Sequence, residues 1–167
     1  MIFDITPSAP DKHYGRVLNE YIRCFPDDAW IIVRDQDTQY LHHESTQICY
    51  EAIADNPQCD LFSCATNRAW GQGFSNDPNI LNHHKLAYNR EKKYTTIRGI
   101  VPAFFWMFPK RLWIDNPFDD YPIIHGGKSF DTRWTQGKAW NMLRIDHLYV
   151  FHFYRLHKHH RNYAHLI

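Results

Sequence analysis

The chain has 167 residues, 44% of them hydrophobic and 16% aromatic, which is enough for one domain with a sizeable core and too apolar for a disordered polymer. Nineteen Lys and Arg nearly cancel eighteen Asp and Glu, so no strong net field is expected to recruit nucleic acid or a membrane surface. Twelve histidines make the net charge sensitive to pH between about 5 and 7. Cys24, Cys49, Cys59 and Cys64 form no C-x-x-C pair and read as reduced core thiols, not as a zinc module. The opening M-I-F-D-I-T-P meets a charge at Asp4 and no long apolar run follows. Neither a signal peptide nor a membrane span is therefore expected, and the location reads as cytoplasmic.

Residues 1–6 read as a strand, closed by Pro7 and Pro10. Residues 12–23 read as a helix with Tyr14, Val17, Leu18, Tyr21 and Ile22 on one face. Pro26-Asp27-Asp28 breaks it ahead of residues 30–33, W-I-I-V, whose β-branched run reads as a strand covered on both faces. A helix over 45–54 and a strand over 60–66 follow. Residues 67–79 read as a loop, and the G-Q-G at Gly71 lacks the remainder of a phosphate-loop pattern. Residues 80–94 are helical in character and basic, 100–108 form a strongly aromatic strand, and 148–154 a last strand with His152 inside it. The tail from His157, H-K-H-H-R, is basic. Strands alternating with helices predict an α/β fold, a mixed sheet with helices on both faces.

The chemistry concentrates where the 30–33 strand ends, at Arg34-Asp35-Gln36-Asp37. Ligands bind at the C-terminal ends of strands in open α/β sheets. Asp35 and Asp37 point to one side of an extended chain, and two carboxylates held close repel unless a proton or cation lies between them. Mn²⁺ or Mg²⁺ suits such oxygen ligands. The plainer alternative is a solvated loop after a core strand.

W-I-I-V-R-D-Q-D-T resembles the D-x-D segment of GT-A-type glycosyltransferases, and is most similar to small family 2-like members of bacteria and phages. Further similarity lies in residues 103–108, A-F-F-W-M-F, in the segment from Arg111 to Asp119, in Gly137-Lys138, and in L-Y-V-F-H-F-Y-R over 148–155. The resemblance implies a single-domain, Rossmann-like GT-A fold over residues 1–167. Residues 1–66 would bind nucleotide and metal, 67–155 would carry the acceptor half, and 156–167 would be a tail. It implies a metal-dependent, inverting chemistry in which a sugar moves from a nucleotide-diphosphate donor, a UDP-sugar foremost, to an acceptor hydroxyl. Asp35, Asp37 and His152 would hold Mn²⁺ or Mg²⁺, and Arg155 would neutralise diphosphate oxygens.

In this family the first loop and helix border the nucleotide, which makes Lys12, Arg16 and Asn19 candidates for the donor, joined by Asp35 of the D-x-D segment. Lys12, Arg16 and Asn19 read equally as a solvated helix face. Trp106 and Trp113 are candidates to stack on an acceptor sugar. The Glu-Asp pair typical of inverting members is absent. Asp131 is the leading base, with His125, Asp119 and Asp120 as alternatives, and Asp131 reads equally as a helix N-cap. The acceptor is open: glycan, lipid-linked sugar, protein or modified DNA base. A nucleotidyltransferase using the same carboxylates, or a non-catalytic nucleotide-sugar or carbohydrate-binding protein, are the rival readings.

Overall fold

A computed structural model describes residues 1–69, 72–75 and 77–153. Strand β1 (Ile2–Ile5) leads to helix α1 (Tyr14–Arg23), which buries Gly15, Leu18 and Ile22 at helical spacing. Strand β2 (Trp30–Arg34) buries Ile31, Ile32 and Val33, as its β-branched run predicts. Strand β3 (Thr38–Tyr40), absent from the sequence reading, precedes α2 (Ser45–Asp55). Every residue of β4 (Leu61–Thr66) is buried. The stretch expected to be loop holds a short ladder, β5 (Arg68–Ala69) with β6 (Gly73–Phe74).

Helix α3 (Ile80–Tyr88) is capped by Asn79, whose Oδ1 accepts from the Leu81 N–H at 3.0 Å. It stops short of the expected residue 94, because the chain turns back through an Arg90 N–H to Ala87 O bond and enters β7 (Tyr94–Thr96). Strand β8 (Phe105–Pro109) begins later than residue 100, and is followed by α4 (Lys110–Asp115). The hairpin β9 (Ile124–His125) to β10 (Lys128–Ser129) turns on Gly126 and Gly127, both at positive φ, +57° and +75°. Two consecutive left-handed residues make the tight primed turn that glycine best tolerates. Helix α5 (Phe130–Thr135) and the long strand β11 (Met142–His152) complete the described elements.

The chain forms two compact units that interleave in sequence. The first comprises Met1–Gln36, Gln58–Ser63 and Thr96–Arg144. In it β1 lies parallel to β2 (Ile2 beside Trp30), β2 antiparallel to β8 (Ile31 beside Phe108), and β8 antiparallel to β4 (Phe62 beside Met107). The sheet is therefore mixed. Its core is aromatic: the Trp134 ring lies 4.5 Å from Phe118, 4.7 Å from Trp106 and 5.1 Å from Phe108.

The second unit comprises Asp37–Pro57, Cys64–Thr95 and the chain from Ile145 onward. Here β11 runs antiparallel to β3, with Val150 beside Tyr40 and His152 beside Thr38. Leu41, Ala65, Ala87, Tyr149 and Phe151 form its core. Of the four cysteines, all free thiols, Cys24 is exposed and Cys49, Cys59 and Cys64 are buried. No helix among the described residues is long and apolar enough to cross a membrane.

Candidate functional site

The register of β3 on β11 brings Asp37 and His152 together. His152 sits opposite Thr38, and one residue further on the Phe153 N–H donates to Asp37 O at 2.8 Å. The His152 side chain is buried, while the Asp37 carboxylate is 48% exposed, and Nε2 lies 3.3 Å from Oδ1. The other ring nitrogen, Nδ1, lies 2.9 Å from the main-chain oxygen of Arg68. A carbonyl oxygen can only accept, so Nδ1 carries a proton. In the neutral ring Nε2 then presents a lone pair toward the carboxylate. Two electron-rich groups at that distance need positive charge between them, either a proton on Nε2 or a metal ion. Metal-ligating histidines characteristically donate their second ring nitrogen to a carbonyl or carboxylate, which is the arrangement Arg68 supplies.

Asn67, 4% exposed, fixes the backbone at this point. Its Oδ1 accepts from His152 N–H at 2.7 Å and its Nδ2 donates to His152 O at 3.2 Å. One amide side chain thus replaces a neighbouring strand. Neither Asn67 nor Arg68 was singled out by the sequence; a buried Asn beside a strand end carries no spacing signal, and Arg68 acts through its main chain. Asp35 belongs to the first unit, half-buried, with its N–H donating to Phe104 O at 3.2 Å. Like Asp37 and His152 it can offer a metal one ligand atom.

The candidate donor contacts are placed unevenly. Lys12 is exposed, at φ +65°, and Arg16 is exposed and paired with Asp11. The Asp11 carboxyl is held below its ordinary value, chiefly by the His13 N–H. Asn19 corrects the expectation. Its Oδ1 accepts from Trp113 Nε1–H at 2.7 Å and from Phe118 N–H at 3.1 Å, and its Nδ2 donates to Phe118 O at 2.8 Å, so the amide is spent within the protein. Arg155 and the histidine-rich tail lie outside the described residues, as does Gly71.

The two tryptophans also differ from expectation. Trp106 is 0% exposed, with Nε1–H on Val101 O at 3.0 Å, and Trp113 is 7% exposed. Their rings fill the core and offer no face to a sugar.

Among the candidate bases, Asp119 takes a two-pronged contact from Arg133, Nε to Oδ2 at 2.8 Å and Nη2 to Oδ1 at 2.9 Å. That hydrogen bonding holds its carboxyl below the ordinary range. Arg133 also donates to the carbonyls of Pro122, Ile123 and Lys128, tying down the hairpin base. Asp131 lies inside the first turn of α5, with Ser129 at the N-cap position; its Oδ1 accepts from Ser129 Oγ–H and from Thr132 N–H. Asp120 Oδ1 lies 3.1 Å from His13 Nδ1. His125 is exposed and its ring stacks on Tyr121 at 4.0 Å.

The second unit also holds histidines with contrasting surroundings. His83 is saturated: Nε2–H donates to Asp77 O at 3.0 Å and Nδ1 lies 2.9 Å from Tyr149 Oη. Burial pushes the Tyr149 phenol up to about 12, so it stays a hydroxyl donor. His42 and His147 each have a buried Nε2 with no hydrogen-bond partner among the described residues. Burial lowers the pKa of both, and mutual repulsion with His147 lowers that of His42 further. No family model, curated protein or solved structure matches the chain.

Proposed function

We propose that the protein is a metal-dependent glycosyltransferase that moves a sugar from a nucleotide-diphosphate donor, a UDP-sugar foremost, to an acceptor hydroxyl with inversion, on a GT-A-like fold. One observation carries this reading: a carboxylate faces an imidazole whose far nitrogen is already committed to Arg68 O, which is how a metal ligand is oriented. The residues fit an Mn²⁺ ion better than Mg²⁺, since an imidazole nitrogen joins the carboxylate oxygens. In this reading Asp37 and His152, with Asp35 two residues earlier in the chain, hold the ion. Bound there, a divalent cation stabilises the negative charge that grows on a departing nucleoside diphosphate. Asp131 or His125 takes the proton of the acceptor hydroxyl, and Lys12, Arg16 and Arg155 contribute positive charge to the donor.

The test is thermal or urea denaturation with UDP, with and without Mn²⁺. Wild-type protein is expected to gain about 2.7 kcal/mol at one hundred times the dissociation constant. Asp37→Asn should abolish the Mn²⁺-dependent part while leaving the ligand-free stability close to wild type. An undiminished gain in Asp37→Asn removes the carboxylate from the site.

A further inference from the structure

Alongside β3, the strand that follows Asp37 in the chain, the second unit opens into a cleft of about 510 Å³, within the size range of small-ligand sites. Its walls include Gln39 and His42, both in the β3 segment or just beyond it, with Leu81, His84 and Tyr88 from α3. The Tyr88 ring is the hub. His42, His84 and His43 lie 4.8, 4.7 and 6.0 Å from its centroid, and His43 Nδ1 lies 2.6 Å from its hydroxyl. Tyr88 is nonetheless 44% exposed, and Leu81 67%.

Among the described lining residues there is no Lys, Arg, Asp or Glu. A phosphate or carboxylate ligand would find no fixed countercharge on these walls, and the nearby Glu44 carboxylate lies outside the lining, 3.4 Å from His43 Nε2. What the walls do offer is flat aromatic area, a primary amide, a phenol and imidazoles. A neutral imidazole has one donor and one acceptor nitrogen, the same dual character as a sugar hydroxyl. His42 brings a buried Nε2 that the described protein leaves without a partner. Burial keeps that ring neutral at pH 7.5, where it can serve in either role.

We infer that this cleft binds a neutral saccharide, with the pyranose face against Tyr88 and His84 and hydroxyls on Gln39 and His42. The site stands independently of the Asp37–His152 pair: it needs no metal and would serve a binding protein as well as a transferase.

The experiment is saturation-transfer-difference NMR at pH 7.5, without added metal, using cellotetraose, maltotetraose and chitotetraose as probes, with uridine and inorganic phosphate as comparators. At least one oligosaccharide should receive saturation, with its affinity lowered at least tenfold in Tyr88→Ala and in Leu81→Asp. Both positions are exposed, and an unchanged melting temperature confirms that each variant is folded. Asp37→Asn should bind the oligosaccharide as wild type does, which separates this inference from the metal reading. Saturation of uridine alone, of none of the sugars, or of a sugar whose binding survives both substitutions overturns the assignment.

Discussion

Asn67 shows how a site can depend on a residue that carries no chemistry of its own. Its amide satisfies both the N–H and the C=O of His152, two buried backbone groups at the last residue of β11. Asn67→Ala strands both, and an unsatisfied buried polar group costs about 1–3 kcal/mol. We expect a urea midpoint shift of that size together with weakened Mn²⁺-linked stabilisation; a variant as stable as wild type would show that water replaces the amide. Asp35, Asp37 and His152 stand out in the sequence because side chains able to ligate a metal are recognisable by type. Asn67 and Arg68 do not, because their contribution runs through hydrogen bonds to the main chain. Asp131 is a second case at this scale. Its carboxylate accepts from its own helix's first turn, so Asp131→Asn retains an acceptor and loses only charge at a helix N-terminus, about 0.3–1 kcal/mol. If it also serves as the base, transfer should fall with little change in donor affinity. Transfer at the wild-type rate would leave it a purely structural residue.

Among the elements, α1 is held to its neighbour by a glycine. A Cβ built at Gly15 would come within 2.0 Å of Asp119 O and 3.1 Å of the Phe118 Cβ, and a main-chain oxygen cannot rotate away. Gly15→Ala is therefore expected to destabilise the protein by about 1–3 kcal/mol, although alanine is the better helix former. Equal or greater stability in urea would show that the 118–119 segment yields freely. That segment is also where Asn19 and Arg133 converge, from α1 and α5 respectively, on Phe118 and Asp119. The regular elements α1, α2, β2 and β4 were legible because their apolar residues repeat at helical spacing or run without interruption. The strands β3, β5, β6, β7, β9 and β10 have two or three residues each, too few for a period to register. The two tryptophans misled for a related reason. Aromatic content marks a residue as suited to binding or to packing, and only burial decides between them.

Across the molecule, the abundance of histidine becomes a statement about stability. His42 and His147 are held below the ordinary value of 6.5, so the unfolded chain takes up their protons first. Stability is then complete above that ordinary value and declines as pH falls below it toward the folded-state values. The Asp119 carboxyl, held below 3.8 by Arg133, loses its contribution only at far lower pH. We expect the urea midpoint to fall between pH 7.5 and 5.0, and the fall to shrink in the double variant His42→Gln, His147→Gln. An identical fall in that variant would assign the effect to other groups. The α/β class was legible from alternating strand and helix patterns. The division into two interleaved units was not, because β4 and β11 each pass from one unit to the other and no linker composition marks the change.

The buried thiols turn that interleaving into something that can be timed. Cys59 lies in the first unit, and burial raises its thiol to about 12; Cys49 and Cys64 lie in the second. An alkylating reagent reaches such a sulfur only during a transient opening, and a thiolate forms only once the group is hydrated. Pulsed alkylation read by mass spectrometry thus gives each unit its own clock, with Cys24 as the unprotected reference. Equal rates for Cys59 and Cys64, which stand in opposite units on one short stretch of chain, would mark a single cooperative opening; unequal rates would mark two.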